Sequence, residues 1–131
     1  SRLLSGVDIC NISFEGALKL ANEDNPDGLP TFFYFDPPYK PLNDSSSFTS
    51  YAKDSFNDDD QVKLKLVCDL LDKQGHQWLL SNSDTTNFDV TNTFFDDLYE
   101  SYKIERVKAS RNINSKGTKR GQINELLIRN Y

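Results

Sequence analysis

The sequence predicts an α/β domain whose sheet is mostly parallel and ends on an antiparallel strand. Three observations carry this expectation. Thr31-Phe32-Phe33-Tyr34-Phe35 is a short uncharged run of β-prone residues, four of them aromatic, and reads as a strand buried on both faces of a helix-covered parallel sheet. Strand and helix signals alternate from Val7 to Leu80, which is the order of parallel-sheet units. The segment between the last two strand candidates, Lys108 to Gly121, is too short for a crossover helix, so those two strands pair antiparallel.

Along the chain, Val7-Asp8-Ile9-Cys10-Asn11 is a short strand candidate, and Ser13 caps a helix whose apolar positions are Phe14, Ala17, Leu18 and Ala21. Asn22 to Pro30, rich in Asn, Asp, Gly and Pro, is a loop into the central strand. Pro37 and Pro38 end that strand, because proline lacks a backbone N–H and has a fixed φ. Lys40 to Phe56 is a long polar loop carrying Phe48, Tyr51 and Phe56, which either pin it to the core or form a lip of flat faces over a pocket. Asn57 caps a strong helix with Asp58, Asp59 and Asp60 in its first turn, where the helix dipole favours negative charge. Its expected buried stripe is Val62, Leu66, Val67, Leu70 and Leu71, and Gly75 closes it. Trp78-Leu79-Leu80 is the next buried strand and runs into Ser81-Asn82-Ser83-Asp84, a second polar tip expected beside Asp36. Phe88 to Glu100 predicts a weaker helix built on Phe94, Phe95 and Leu98. Tyr102 to Val107 and Gln122 to Asn130 are the last strands, the second with Leu126 and Ile128 on one face and Leu127 on the other.

A chain of 131 residues supports one domain with a real core, and no repeat or low-complexity linker divides it. The formal net charge of −5 excludes a protein that is basic all over, but not a local basic face. Such a face is present in sequence: Lys103, Arg106, Lys108, Arg111, Lys116, Lys119 and Arg120 stand against the single acid Glu105. That segment is either a solvated hairpin or, with Gly117 and its small polar neighbours, a set of phosphate contacts. Cys10 and Cys68 have no metal-ligand spacing and read as reduced core residues of a cytosolic protein. The acids at 58–60 read as capping, so no metal site is expected. No apolar stretch spans a membrane, and the start is not a signal peptide.

In open α/β sheets ligands sit just beyond the carboxyl ends of the strands. Asp36, the Pro37 carbonyl and Tyr39 are therefore expected at the rim where chemistry happens, although a Pro-rich turn with a solvated Asp would look the same over four residues. His76 lies at a helix-to-strand turn with no nucleophile motif nearby and reads as a surface residue.

Four motifs occur in order: Asp36-Pro37-Pro38-Tyr39; Ser47 to Tyr51; Ser81-Asn82-Ser83-Asp84; and a tail running from Ser110-Arg111-Asn112 through Lys116-Gly117 and Lys119-Arg120 to Asn124-Glu125-Leu126-Leu127. Together they resemble the Dam-type DNA adenine methyltransferases of the D12 class, over nearly the whole chain. The resemblance implies a Rossmann-like fold dependent on S-adenosylmethionine, methyl transfer to the exocyclic amine of adenine in double-stranded DNA, and a cytoplasmic protein of bacterial or phage origin. It implies that Asp36, Pro37, Pro38 and Tyr39 are catalytic, and that Ser13, Phe14 and Asp36 contact the cofactor. It also implies that Phe48, Tyr51, Asn82, Arg111, Asn112, Lys116, Lys119 and Arg120 face the DNA. Ser13 stands where the family has Asp ahead of the Phe, and a serine hydroxyl can still hydrogen-bond an adenine edge.

Two family features are not found, the amino-terminal Phe-x-Gly-x-Gly strand-turn and the target-recognition insertion. The chain is accordingly expected to be the carboxyl-terminal catalytic part of such an enzyme. Its partners would be the other half of that enzyme or a second copy, with two strands missing between 7–11 and 32–35. An RNA adenine methyltransferase, which uses a similar element, and a non-catalytic nucleic-acid-binding fragment are the rival expectations; the Lys-Gly-x-Lys-Arg tail favours DNA.

The chemistry needs these residue types. An adenine amine is a poor nucleophile because its lone pair is delocalised into the ring. Acceptors against its two N–H bonds, the Asp36 carboxylate and the Pro37 carbonyl, favour the pyramidal geometry of the transition state. The sulfonium methyl is already activated, so in-line transfer requires neither metal nor covalent intermediate. The base must leave the duplex, and Tyr39 would stack on it.

Overall fold

In the computed structural model, which describes residues 5–23, 27–41, 56–109 and 123–131, the central strand joins an open four-stranded sheet. The strands are β1 (Phe32–Phe35), β2 (Gln77–Ser83), β3 (Lys103–Ala109) and β4 (Ile123–Arg129), in the spatial order β1-β2-β4-β3. β1 and β2 are parallel, with Phe33 opposite Trp78 and Phe35 opposite Leu80. β4 runs antiparallel to both neighbours, placing Ile128 between Leu80 and Ile104. The expected antiparallel pairing of the last two strands is present. Because β4 inserts between β2 and β3, however, only one of the three described pairings is parallel, and this part of the sheet is mixed rather than mostly parallel.

The crossover that a parallel pair requires is supplied by α2 (Asp58–Lys73). Its start is a full capping box: the Asn57 side chain accepts the Asp60 N–H and the Asp60 carboxylate accepts the Asn57 N–H, each at 3.1 Å. It ends at Gly75, whose φ of 80° is a conformation glycine adopts without strain. The buried face of α2 is Gln61, Leu64, Val67, Cys68 and Leu71. Val67 and Leu71 are as expected, whereas Val62, Leu66 and Leu70 are exposed. The true stripe is turned by one residue, about 100° on a helix, because a polar Gln61 and a thiol complete the row with Leu64 and Leu71.

That face packs on Trp78, Leu80, Leu126 and Ile128, which share one side of the sheet, and the core is completed by Phe95, Tyr99 and the small residues Ala17 and Ala21 of α1 (Gly16–Glu23). Small side chains let α1 approach closely, with Phe14 and Leu18 packed at its margin.

Several local expectations are corrected. Residues 7–11 form no strand, and Val7 and Ile9 are exposed; a strand exists through its ladder, and no described segment lies alongside to pair with it. Cys10 is exposed with that segment, whereas Cys68 is buried. His76 is buried rather than on the surface, because its Nδ1 accepts the Thr31 N–H at 3.1 Å and so ties the end of α2 to the start of β1. The helix expected over Phe88 to Glu100 shrinks to α3 (Phe94–Leu98), preceded by a 3₁₀ turn at Thr85–Asn87. Asp89 captures the N–H and hydroxyl of Thr91, and such local side-chain bonds compete with helix formation.

Candidate active site

The site begins where the β1–β2 ladder stops. Its last pair is Phe35 with Leu80. Beyond it lie Asp36, Pro37 and Pro38 on one strand and Ser81, Asn82 and Ser83 on the other. Two prolines supply no N–H, so backbone pairing cannot continue. Side chains take over. Ser81 Oγ donates to Asp36 Oδ1 at 3.0 Å, and the Tyr34 hydroxyl lies 3.2 Å from the same Oγ. Since the serine has one proton and directs it to Asp36, Tyr34 is the donor in the second contact. The Lys40 N–H donates to Asn82 Oδ1 at 3.0 Å, and Ser83 Oγ donates to the Lys40 carbonyl at 2.6 Å. From α2, Gln61 Nε2 donates to the Pro38 carbonyl at 3.2 Å.

The turn from Asp36 to Lys40 is thus held by side chains of β2 and α2. Asp36 is exposed. The Pro37 carbonyl accepts no hydrogen bond among the described residues. Tyr39 is half-buried and donates to Glu125 Oε2 of β4 at 3.4 Å. Burial is the largest of the effects that push its phenol above the ordinary tyrosine value, so it is neutral at neutral pH. The Lys40 ammonium pairs with Asp58 at the start of α2 and lies over the Phe94 ring, 4.7 Å from its centroid.

A pocket of about 330 Å³ opens at this tip, lined by Phe14, by Tyr34 and Phe35 of β1, by Asp36-Pro37-Pro38, and by Phe56 and Leu64. Phe14 and Phe56 meet edge to face with centroids 5.7 Å apart. Its wall is therefore largely flat and apolar, with one carboxylate.

Residues 6–113 match the D12 class N6 adenine-specific DNA methyltransferase family. The chain belongs to this family. Among relatives, the type II methyltransferase M.MjaIII of Methanocaldococcus jannaschii is 47% identical over a match covering 100% of this chain and 42% of that protein. The type II methyltransferase M1.LlaDCHI of Lactococcus lactis subsp. cremoris is 35% identical over 97% of this chain and 40% of its own length. A DNA adenine methylase of Vibrio cholerae is 39% identical over 72% of this chain and 32% of its own length. The chain thus spans less than half the length of these curated relatives.

Within this D12 member, the structure brings together Asp36, Pro37, Pro38, Tyr39 and Phe14 at one end of β1. Ser13 is not in the pocket wall. Its hydroxyl hydrogen-bonds the Glu15 carboxylate, which holds that carboxyl below its usual range. Asn82, expected to face DNA, is fully buried with its oxygen on Lys40 and Ser83 and its nitrogen on Gln61. The backbone N–H groups of Lys40 and Ser83 converge on its oxygen. Asp84, the end of the same tip, is buried and bound by Arg106 Nε at 2.9 Å and by Thr86. Phe48, Tyr51, Arg111, Asn112, Lys116, Lys119 and Arg120 lie outside the described residues.

Sequence reasoning missed Gln61 and Tyr34, whereas the polar tip of Ser81 and Ser83 lies beside Asp36 as expected. Gln61 carried a usable signal, standing three residues before Leu64 in helical register with Cys68 and Leu71, where an apolar residue would be ordinary. Ser81 and Ser83 alternate with Asn82 along the strand, and all three reach the turn.

Proposed function

We propose that this chain carries the target-amine site of an N6-adenine-specific DNA methyltransferase that uses S-adenosylmethionine. The observation that supports it most is the adjacency of two acceptors, the Asp36 carboxylate and the Pro37 carbonyl, on a turn pinned by Ser81, Asn82, Ser83 and Gln61 at the mouth of an aromatic pocket. Acceptors held in advance against the two N–H bonds of the amine draw its lone pair out of ring conjugation, and this stabilisation grows as the nitrogen becomes cationic. The exposed Asp36 carboxylate then relays the departing amine proton to solvent. Tyr39 stacks its neutral ring on the extruded base, with its hydroxyl anchored on Glu125.

The pocket lining fits the methyl donor: flat rings at Phe14 and Phe56 for a purine, and the Asp36 carboxylate for a cation. When bound, S-adenosylmethionine supplies a methyl group already activated on sulfur. The name DNA adenine methylase carried by relatives favours DNA over RNA as the substrate, and we take it to be double-stranded. Lys116, Lys119 and Arg120 would supply phosphate contacts and the Phe48 and Tyr51 rings a lip over the flipped adenine.

The test is transfer of radiolabelled methyl by the intact gene product to unmethylated DNA, and to RNA of the same sequence, with the modified base identified. Label on the N6 of adenine in DNA is expected. Label confined to RNA, or none at all, would overturn the proposal.

A further inference from the structure

The turn that carries Asp36 and Pro37 rests on a pair of buried carboxamides to which the methyl-transfer chemistry assigns no part. Gln61 on α2 is 1% exposed and Asn82 on β2 is 0% exposed. The direction of their hydrogen bonds is set from both ends. Asn82 Oδ1 must accept, because it receives the N–H groups of Lys40 at 3.0 Å and Ser83 at 2.9 Å. Its nitrogen therefore faces Gln61 Oε1, at 3.1 Å, and the Gln61 nitrogen is left to donate to the Pro38 carbonyl at 3.2 Å, a group that can only accept. Backbone on both sides of Tyr39 is thus tied through one relay, at Pro38 by its carbonyl and at Lys40 by its N–H. Neither could be held by the sheet, since the prolines end the ladder.

Resting on the methyltransferase reading, we infer that Gln61 is a positioning residue. Through Asn82 and Pro38 it sets the placement of the Asp36–Tyr39 acceptors, and it acts on turnover rather than on substrate affinity. An amide is required at this place because donor and acceptor are both used. Glutamate would keep the Asn82 bond and set a carboxylate oxygen against the Pro38 carbonyl, while methionine, of similar length, would lose both bonds. Buried groups left unpaired in this way force the local backbone to shift, and a displacement of about 1 Å at a reacting centre costs on the order of 100-fold in rate.

The experiment compares the intact gene product with Gln61→Met, Gln61→Glu and Val67→Ala, the last a buried α2 residue outside the site that controls for general destabilisation. Two quantities are read: amide hydrogen exchange at Lys40, and steady-state methyl transfer. In Gln61→Met, exchange at Lys40 is expected to quicken roughly tenfold or more and kcat to fall about 10- to 100-fold, with KM for DNA and for the methyl donor within about twofold. Gln61→Glu should lose kcat similarly while keeping more of the Lys40 protection, since its acceptor to Asn82 survives. Val67→Ala should lower the melting temperature and leave both quantities unchanged. Unchanged Lys40 exchange in a folded Gln61→Met protein overturns the positioning role, as does a kcat loss no larger than that of Val67→Ala at matched stability. A parent protein that transfers no methyl defeats the enzyme reading alone, because the exchange comparison still decides whether Gln61 holds the turn.

Discussion

Asp36 is both anchored and open. One carboxylate oxygen takes the Ser81 proton, yet the residue is exposed at the strand tip and contributes nothing to the apolar core. Function and stability are therefore separable at this residue. Asp36→Ala should reduce methyl transfer by roughly 100-fold or more, the scale for one preorganised polar partner, while circular dichroism and thermal unfolding stay as in the parent. Near-normal turnover would remove Asp36 from the chemistry. Lys116, Lys119 and Arg120 belong to the basic segment of the sequence. Neutralising all three should weaken DNA binding irrespective of sequence and flatten the plot of log affinity against log salt by about 0.9 per lost phosphate contact. An unchanged slope would mark a solvated segment.

At the scale of the element, α2 has two tasks. It covers the core through Leu64, Val67, Cys68 and Leu71, and it delivers Gln61 to the turn. Its first turn must therefore be well defined, which the Asn57–Asp60 box provides. Asn57→Ala should cost about 1 kcal/mol in denaturant unfolding at neutral pH, the usual size of a lost cap. The Asp60 carboxyl is held below its ordinary value, first by the Asn57 N–H and then by Lys63. A carboxyl whose folded value is depressed stabilises the fold above its unfolded pKa, and that support fades as pH falls through the folded value. The Asp60 share should be complete at neutral pH and begin to fade only below about pH 4, the unfolded value. Unfolding curves of the parent and Asp60→Asn, measured from pH 7 down to 3, should converge at the acidic end; curves that stay parallel would show that Asp60 does not titrate in the cap.

Among the described residues, the sheet is covered unevenly. Helices cover one side of the sheet, where Phe33, Phe35, Trp78, Leu80, Leu126 and Ile128 gather. On the other side Phe32 is 53% and Tyr34 58% exposed, and no described strand pairs with the outer edge of β1. Free edges and apolar patches invite association. The isolated 131-residue polypeptide is therefore expected to self-associate, with an average mass in sedimentation that rises with concentration, and Phe32→Lys should shift it toward monomer. A monodisperse monomer across the concentration range would show that this face is stable in water.

By itself the sequence determined the central aromatic strand, the capped helix after it, the antiparallel closing pair and the Asp-Pro-Pro-Tyr tip, because each is written in local chemistry: a run of β-prone rings, an Asn three residues before an Asp, a short linker, prolines that cannot donate. Ser81 beside Asp36 was legible for the same reason, since parallel neighbours align their carboxyl ends. Tertiary structure alone decided the rest. Residues 7–11 have strand-like composition, but a strand needs a neighbour to share its hydrogen bonds, and none of the described segments lies there. His76 was misplaced because polar side chains go where unpaired backbone groups are, and the Thr31 N–H is far away in sequence; the burial of Asn82 against the Lys40 N–H has the same origin. Gln61 could not be recognised as part of the site until the crossover set α2 against the turn, where a buried amide replaces the pairing that two prolines forbid.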